Sequence, residues 1–379
     1  MNKGSRHAVV AATVFDGIAV QHDCAVLIEG TQIAGMMPRR ALPAEVPAQI
    51  LPADLWLAPG FIDIQVNGGG DVLFNDTPTA AGIAAIAAAH RRFGTTALLP
   101  TLITDTPAKM RAAAGAVHDA TGNPSVLGIH FEGPFLSPEK PGVHDPAKLR
   151  VPDTDDLALL TTVQTGVTLV TLAPERVPAE FIAQLAAAGA RVSLGHSMAT
   201  YAQTKAALAQ GLTGFTHLFN AMRPLGGRDP GPIAAALEAP GAWFGMIVDG
   251  EHVDPAMLRL ALRGAAQPVL VTDAMPPVGG KKPGFTLYGE PISVTNGRCT
   301  RADGALAGSA LSMAAAVRNC VQMLGVPLPK ALTYAATAPA EFLGLGKSLG
   351  KLAPGFRADL VAFRPDDIAV HETWVAGKA

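Results

Sequence analysis

"APGFIDIQVNGGG", residues 58–70, carries the reading of the fold. Phe61, Ile62, Ile64 and Val66 make a run too short for a helix of ordinary length. It ends on Gln65 and Asn67, spaced i, i+2, and then on Gly68, Gly69 and Gly70. A strand covered on both faces reads as a near-continuous apolar run, and glycines punctuate its end. The same grammar recurs seven more times: "TTALLPTL" (95–102), "VLGIHFEGP" (126–134), "VTLVTLAPE" (167–175), "RVSLGHS" (191–197), "GFTHLFN" (214–220), "WFGMIVDG" (243–250) and "PVLVTDAM" (268–275).

Helical patterns usually separate these runs, among them "AAGIAAIAAAHRRFG" (80–94), "AEFIAQLAAAG" (179–189) and "TYAQTKAALAQG" (200–211). Each closes on glycine, a common helix stop. Eight strand–helix repeats predict an α/β (β/α)8 TIM barrel over residues 58–354. A Rossmann-type sheet is the competing fold, but no GxGxxG follows the first strand.

The ends read differently. "AVLIEGTQIAGMM" (25–37) has the look of a hairpin, and "ADLVAFRPDDIAVHETWVAGK" (358–378) is strand-like again. Residues 1–57 plus 355–379 are expected to pair into a small β-sandwich domain. After the eighth run, "GFTLYGEPISVTNGRCT" (284–300) predicts a hairpin turning on Asn296-Gly297. A helix is expected from near Gly308.

The totals narrow the function classes. The chain has 379 residues, 49% apolar and 16% charged, with a formal net charge of −2. No basic stripe argues for nucleic acid. The alanine-rich runs fall short of the roughly 18 uncharged apolar residues of a membrane span. Cys24, Cys299 and Cys320 form no CxxC and cannot all pair, which suits a reducing, cytoplasmic setting. The basic opening "MNKGSRHAVVAATVFDG" has only a short apolar run and reads as a strand, not a signal peptide.

Active sites of such barrels lie at the C-terminal ends of the strands. There the sequence offers Gln65 and Asn67, Glu132, His196, His217, Asp249 with His252, and Asp273. Glu132, His196 and His217 make a set of two imidazoles and one carboxylate, which suits zinc and leaves a position open for water. Iron, cobalt or manganese could occupy the same ligands. Asp273 could take a proton from that water and pass it on. A lone histidine at a strand end is ordinarily a hydrogen-bonded structural residue; three such groups on one rim favour a site. His130 shares a strand face with Glu132 and suits either the barrel core or a supporting place behind the ligands.

The chain resembles the N-acetylglucosamine-6-phosphate deacetylases of the amidohydrolase superfamily. The resemblance runs from "PGFIDIQVNG" to "GKLAPGFRADLVAF". It is carried by "HFEGPFLSPEKPGVHDP", "SLGHSMA", "GFTHLFNAMRPLGGRDPG", "VDGEHVDP", "LVTDAMPP" and "LAGSALSM", in that order. It implies hydrolysis of the acetamide of N-acetyl-D-glucosamine 6-phosphate. It implies Glu132, His196 and His217 as ligands of one divalent metal ion per subunit, and Asp273 as the acid/base. His144, with Val143 before it, matches the residues near the substrate amide. Asn220, Ala221 and Arg228 match the phosphate end, His252 the sugar, and Leu306, Ala307 and Gly308 a segment that closes over the substrate. The family implies a homodimer with Arg228 reaching across the interface. Gln65 and Asn67 stand where relatives holding a second metal carry His-x-His; amides are poor zinc ligands but good hydrogen-bond partners for water or substrate. No lysine ends the fourth strand. Asp145 departs from the pattern, where asparagine is expected. Another amidohydrolase, acting on a different amino-sugar phosphate or a cyclic amide, is the alternative; a metal-free scaffold would have lost one of the four key residues.

Overall fold

The computed structural model describes residues 6–162 and 166–379. Each of the eight expected runs overlaps a strand: Phe61–Val66, Thr95–Ile103, Gly128–Glu132, Val167–Leu172, Arg191–Leu194, Leu212–Phe215, Trp243–Met246 and Gln267–Leu270. They lie in one sheet in sequence order. The pairs from the second strand to the eighth are parallel. A parallel bridge between Val66 and Ala274 joins the first strand to the residues beyond the eighth. The N–H groups of Asn67 and Gly68 both donate to the Ala274 carbonyl at 2.9 Å. The architecture is a TIM barrel.

Local chemistry explains the helices between strands. Ala80–Arg91, Ala179–Ala187 and Tyr201–Ala209 fall within the expected stretches. Thr200 caps the last of these with a reciprocal box: its hydroxyl accepts from the Gln203 N–H, and the Gln203 side chain accepts from the Thr200 N–H. Such a cap satisfies two amide donors that the first helical turn leaves free. Gly94, Gly189 and Gly211 follow with φ of 83°, 89° and 104°, a conformation open to glycine at little cost.

The barrel strands alternate between a face of buried apolar side chains and an inner, satisfied polar layer. Phe131, Val170, Leu194 and Phe244 are essentially fully buried, and each such side chain contributes about 1.5–3 kcal/mol. His130 is buried between Thr101, the Ile64 carbonyl and the Thr171 hydroxyl, at 3.3, 3.1 and 2.7 Å. The chain continues from Thr171 to Thr216 and Ser193. Burial holds His130 down at about 4, so it is neutral near pH 7 and belongs to the core.

By compactness the chain divides into two units. One comprises the N-terminal segment to Asp63, His90–Ala97 and Ser312–Ala379; the other comprises Ile64–Ala89 and Leu98–Leu311. The first contains a seven-stranded sheet ordered Val370–Trp374, Leu360–Phe363, Trp56–Pro59, Arg6–Phe15, Val20–Glu29 and Gln32–Pro38, with Ala48–Ile50 also pairing to Arg6–Phe15. The two ends of the chain thus meet in one small β-domain. Alternation along Arg6–Phe15 supplies two apolar clusters: Val9, Ala11 and Val14 pack with Val26, Leu57, Leu360 and Trp374, while Ala8 and Val10 pack with Ala25, Leu27 and Val46.

The second unit carries an antiparallel insertion. Gly284–Leu287, Glu290–Thr295, Arg298–Thr300 and Leu306–Ser309 form a four-stranded sheet. Thr295 pairs with Arg298 around Asn296-Gly297, whose φ values of 52° and 79° suit the expected two-residue turn. One expectation needs correcting. Residues 306–309 are a strand, and the next helix starts at Met313 behind the Ser312 cap. Gly308 has φ 59°, and a side chain there would meet Met275 Cγ at 2.6 Å and the Asp273 carbonyl at 2.9 Å.

Candidate active site

The barrel brings four of the expected residues to one rim. Glu132 is the last residue of the third strand. His196 and His217 lie just past the fifth and sixth strands, and Asp273 just past the eighth. His196, His217 and Asp273 all have positive φ, at 48°, 34° and 52°. Non-glycine residues adopt this region at a cost of about 1–2 kcal/mol, and such strain gathers at functional sites. Backbone bonds hold the turns: the Ser197 N–H donates to the Ala221 carbonyl, the Leu218 N–H to Gly245 and the Ser309 N–H to Asp273, at 2.9–3.0 Å. Glu175, beyond the fourth strand, accepts from the Ser197 hydroxyl at 2.8 Å and the Met198 N–H at 2.5 Å. It clamps the turn that follows His196.

The donor atoms of Glu132, His196 and His217 converge. Oε1 of Glu132 lies 3.1 Å from His196 Nε2 and 3.0 Å from His217 Nε2, and the two nitrogens are 3.1 Å apart. All three residues are buried. His196 Nδ1 lies 2.8 Å from the Lys140 carbonyl, an acceptor, so Nδ1 carries the proton and the neutral ring turns its Nε2 lone pair inward. There it faces a second imidazole nitrogen and a carboxylate oxygen. Three acceptors in contact are satisfied by added positive charge, and this donor set fits a divalent cation. The same attraction raises the proton affinity of His217: burial opposes it, but the bond to Glu132 and its charge outweigh burial. Burial likewise works to raise the Glu132 carboxyl, yet the His196 and His217 imidazoles against it, which favour its ionised form, hold it well below the usual carboxylate range.

The amides at the end of the first strand are engaged with the site's carboxylates. Gln65 Nε2 donates to Glu132 Oε2 at 3.1 Å and to Asp273 Oδ1 at 3.3 Å, and Asn67 Nδ2 donates to Asp273 Oδ1 at 2.6 Å. Gln65 thus bonds to both carboxylates of the site, and Asn67 to Asp273. Burial pushes the Asp273 carboxyl up to about 6, Glu132's charge adds to this, and His217, His252 and the Asn67 amide pull it down.

A pocket opens over this cluster, lined by Glu132, His196, His217 and Asp273 with Val143, His144, Asn220, Ala221, His252, Leu306 and Gly308. Ile103, Gly142 and Met275 complete its wall without having been singled out from the sequence. Apolar or featureless side chains gave no signal. Gln65 is buried behind the carboxylates, Ala307 is fully buried, and neither lines the wall. Arg228 is exposed in the loop after Met222 and is not on the wall either. His252 Nδ1 lies 2.6 Å from Asp249 Oδ2, while Asp249 Oδ1 accepts from the N–H groups of Glu251 and His252. Asp145 accepts from the Ala147 N–H and sits 3.9 Å from Lys148 Nζ, so its extra charge has a local partner.

Fold and site together define a hydrolase built on a TIM barrel with a buried two-histidine, one-carboxylate centre. The chain belongs to the amidohydrolase family, whose model matches residues 56–379, and within it to the N-acetylglucosamine-6-phosphate deacetylases; it is a hydrolase of amide C–N bonds. It is 32% identical to the N-acetylglucosamine-6-phosphate deacetylase of Haemophilus influenzae, covering 98% of this chain and 99% of that one. It is 44% identical to the N-acetylgalactosamine-6-phosphate deacetylase of a Shewanella strain, over 85% of this chain and 82% of that protein. Among solved structures, the N-acetylglucosamine-6-phosphate deacetylase of Pasteurella multocida superposes with a TM-score of 0.95 at 34% identity, covering 98% and 99% of the two chains. An aspartate-to-alanine mutant of the Mycobacterium smegmatis enzyme, in complex with N-acetyl-D-glucosamine-6-phosphate, gives 0.91 at 35% identity, covering 99% of each.

Proposed function

We propose that this chain hydrolyses the acetamide of N-acetyl-D-glucosamine 6-phosphate to D-glucosamine 6-phosphate and acetate, as a cytoplasmic step in amino-sugar breakdown. The observation that carries the reading is the buried trio of Glu132, His196 and His217, with Asp273 on the same pocket wall. The names of the relatives support the substrate. Glu132, His196 and His217 would hold a single divalent ion, zinc by its ligand set, which when bound would supply Lewis-acid polarisation and a more acidic water. Gln65 and Asn67 are engaged with carboxylates, which argues for one ion per chain.

The chain's own groups do the rest. Ionised Asp273 takes a proton from the attacking water and returns it to the amine nitrogen as the C–N bond breaks, because an amide nitrogen leaves poorly as an anion. His144 meets the carbonyl or the oxyanion that develops from it. His252, oriented by Asp249, holds the sugar. Asn220 and the Ala221 backbone bind the phosphate with Arg228 of a second copy, since Arg228 is exposed in its own chain and a guanidinium fork suits phosphate. The active form is then a homodimer.

Acetate release from N-acetylglucosamine 6-phosphate, from its C4 epimer and from unphosphorylated N-acetylglucosamine tests the reading. The phosphorylated gluco sugar should give the highest kcat/KM. Preference for the epimer would transfer the assignment to the galacto sugar, and no acetate from either phosphate would refute it.

A further inference from the structure

We propose that Thr104 is the positioning residue that sets which nitrogen of His144 carries the proton, and that Tyr288 clamps Thr104 in place. The inference rests on the reading of His144 as the group that meets the reacting carbonyl, and it adds how the ring is made fit for that task. Thr104 follows the second barrel strand directly and is buried. Its backbone N–H donates to His144 Nδ1 at 3.2 Å, and its hydroxyl lies 2.7 Å from the same nitrogen. A nitrogen that accepts from a backbone N–H cannot itself carry a proton, so the neutral ring keeps its proton on Nε2. That nitrogen lies 3.9 Å from Glu132 Oε1, on the ligand cluster. His144 therefore presents an N–H to the pocket. It can donate to a carbonyl oxygen or an oxyanion, and in this tautomer it cannot act as a base there.

Thr104 is held in turn from the antiparallel insertion. Tyr288 begins the two-residue turn between Gly284–Leu287 and Glu290–Thr295, with φ 50°. Its hydroxyl donates to the Thr104 carbonyl at 2.5 Å. The insertion thus reaches the reacting centre through one hydrogen bond to a backbone carbonyl and one shared nitrogen.

Nitrogen-15 NMR of the zinc-loaded enzyme with labelled histidine, His144 being assigned by its loss in His144→Gln, reads the tautomer directly. The wild type should show Nδ1 unprotonated and Nε2 protonated. Thr104→Val keeps shape and backbone N–H but removes the hydroxyl. With the closer of the two donors gone, the ring is held only by the 3.2 Å backbone N–H and can turn away from it, so a mixture of tautomers is expected, with a kcat lower by about 10-fold and KM little changed, below the roughly 10²–10³-fold of removing such a donor outright. Thr104→Ser should restore both, and Tyr288→Phe should shift both readouts the same way by less. A wild-type ring protonated at Nδ1, or a folded Thr104→Val enzyme with unchanged kcat, overturns the proposal. If the valine variant does not fold, the wild-type tautomer and the serine and phenylalanine variants still decide it. Absence of acetate release by the wild type would instead refute the assigned reaction, while the proton's position stands on the NMR alone.

Discussion

Replacing Asn67 with leucine tests how the amide pair tunes the base. The change keeps the side chain's branching and heavy-atom count and removes the donor that lies 2.6 Å from Asp273 Oδ1. Asp273 stands at about 6 because burial and then Glu132's charge outweigh the pull of His217, His252 and Asn67. A hydrogen bond to a charged acceptor contributes roughly 1.5–3 kcal/mol, and one pKa unit is about 1.4 kcal/mol. Complete loss would therefore raise the carboxyl by about 1–2 units. Gln65 donates to the same oxygen at 3.3 Å and takes up part of the loss, so a rise of about one unit is expected. The sign follows from which form is served: the amide stabilises the carboxylate, its removal favours the acid, and the acid cannot accept a proton from water. The acid limb of kcat/KM should move up by about one pH unit, with rates well below the limb about tenfold lower. A bound cation pulls the limbs of both enzymes down together, so the difference between the two profiles is the readout. Acetate release should be followed from about pH 5 to 8, with metal measured on each sample. An acid limb that stays in place, or moves to lower pH with metal retained, would refute the reasoning.

Asp273→Asn should lower kcat by at least about 10²-fold while metal content is kept, because Asp273 is not one of the three converging ligands; turnover close to wild type would remove it from the reaction. His196→Ala and His217→Ala should each lose most of the bound metal, measured by elemental analysis of purified protein, and retention of a full equivalent would displace them from the centre. Arg228→Ala should cost about 10–100-fold in kcat/KM for the phosphorylated sugar, from the roughly 1.5–3 kcal/mol of a charged hydrogen bond, and little for plain N-acetylglucosamine. Mixing Arg228→Ala with Asp273→Asn subunits should restore activity through one intact site per mixed dimer, whereas no recovery would place Arg228 in its own chain's site.

The barrel was legible because its strands are covered on both faces, so each is a compact apolar run with glycine or polar residues at the rim. Glu132, His196, His217 and Asp273 were legible for a related reason: ionisable residues beside such runs are costly without a partner or a task. The hairpin on Asn296-Gly297 announced itself through one of the few residue pairs that take that turn readily. Leu306–Ser309 did not, because its small residues carry no strand period and the strand exists only by pairing with Arg298–Thr300 and bonding to Asp273 and Met275. The left-handed backbone at His196, His217 and Asp273 was hidden, since nothing in a histidine or an aspartate announces a positive φ. Thr104 was hidden as well; a threonine just past an apolar run looks like any strand end until His144, forty residues on, is folded against it. The partners of Gln65 and Asn67 lie 67 and more than 200 residues away, beyond reach of any local pattern.

Chelator-stripped enzyme titrated with zinc, with acetate release from N-acetylglucosamine 6-phosphate followed at each step, tests the central claim most directly. Activity should rise in proportion to added metal and break sharply at one equivalent per chain, with His217→Ala showing no rise over the same range. A break at two equivalents, or full acetate release by the metal-free protein, would contradict it.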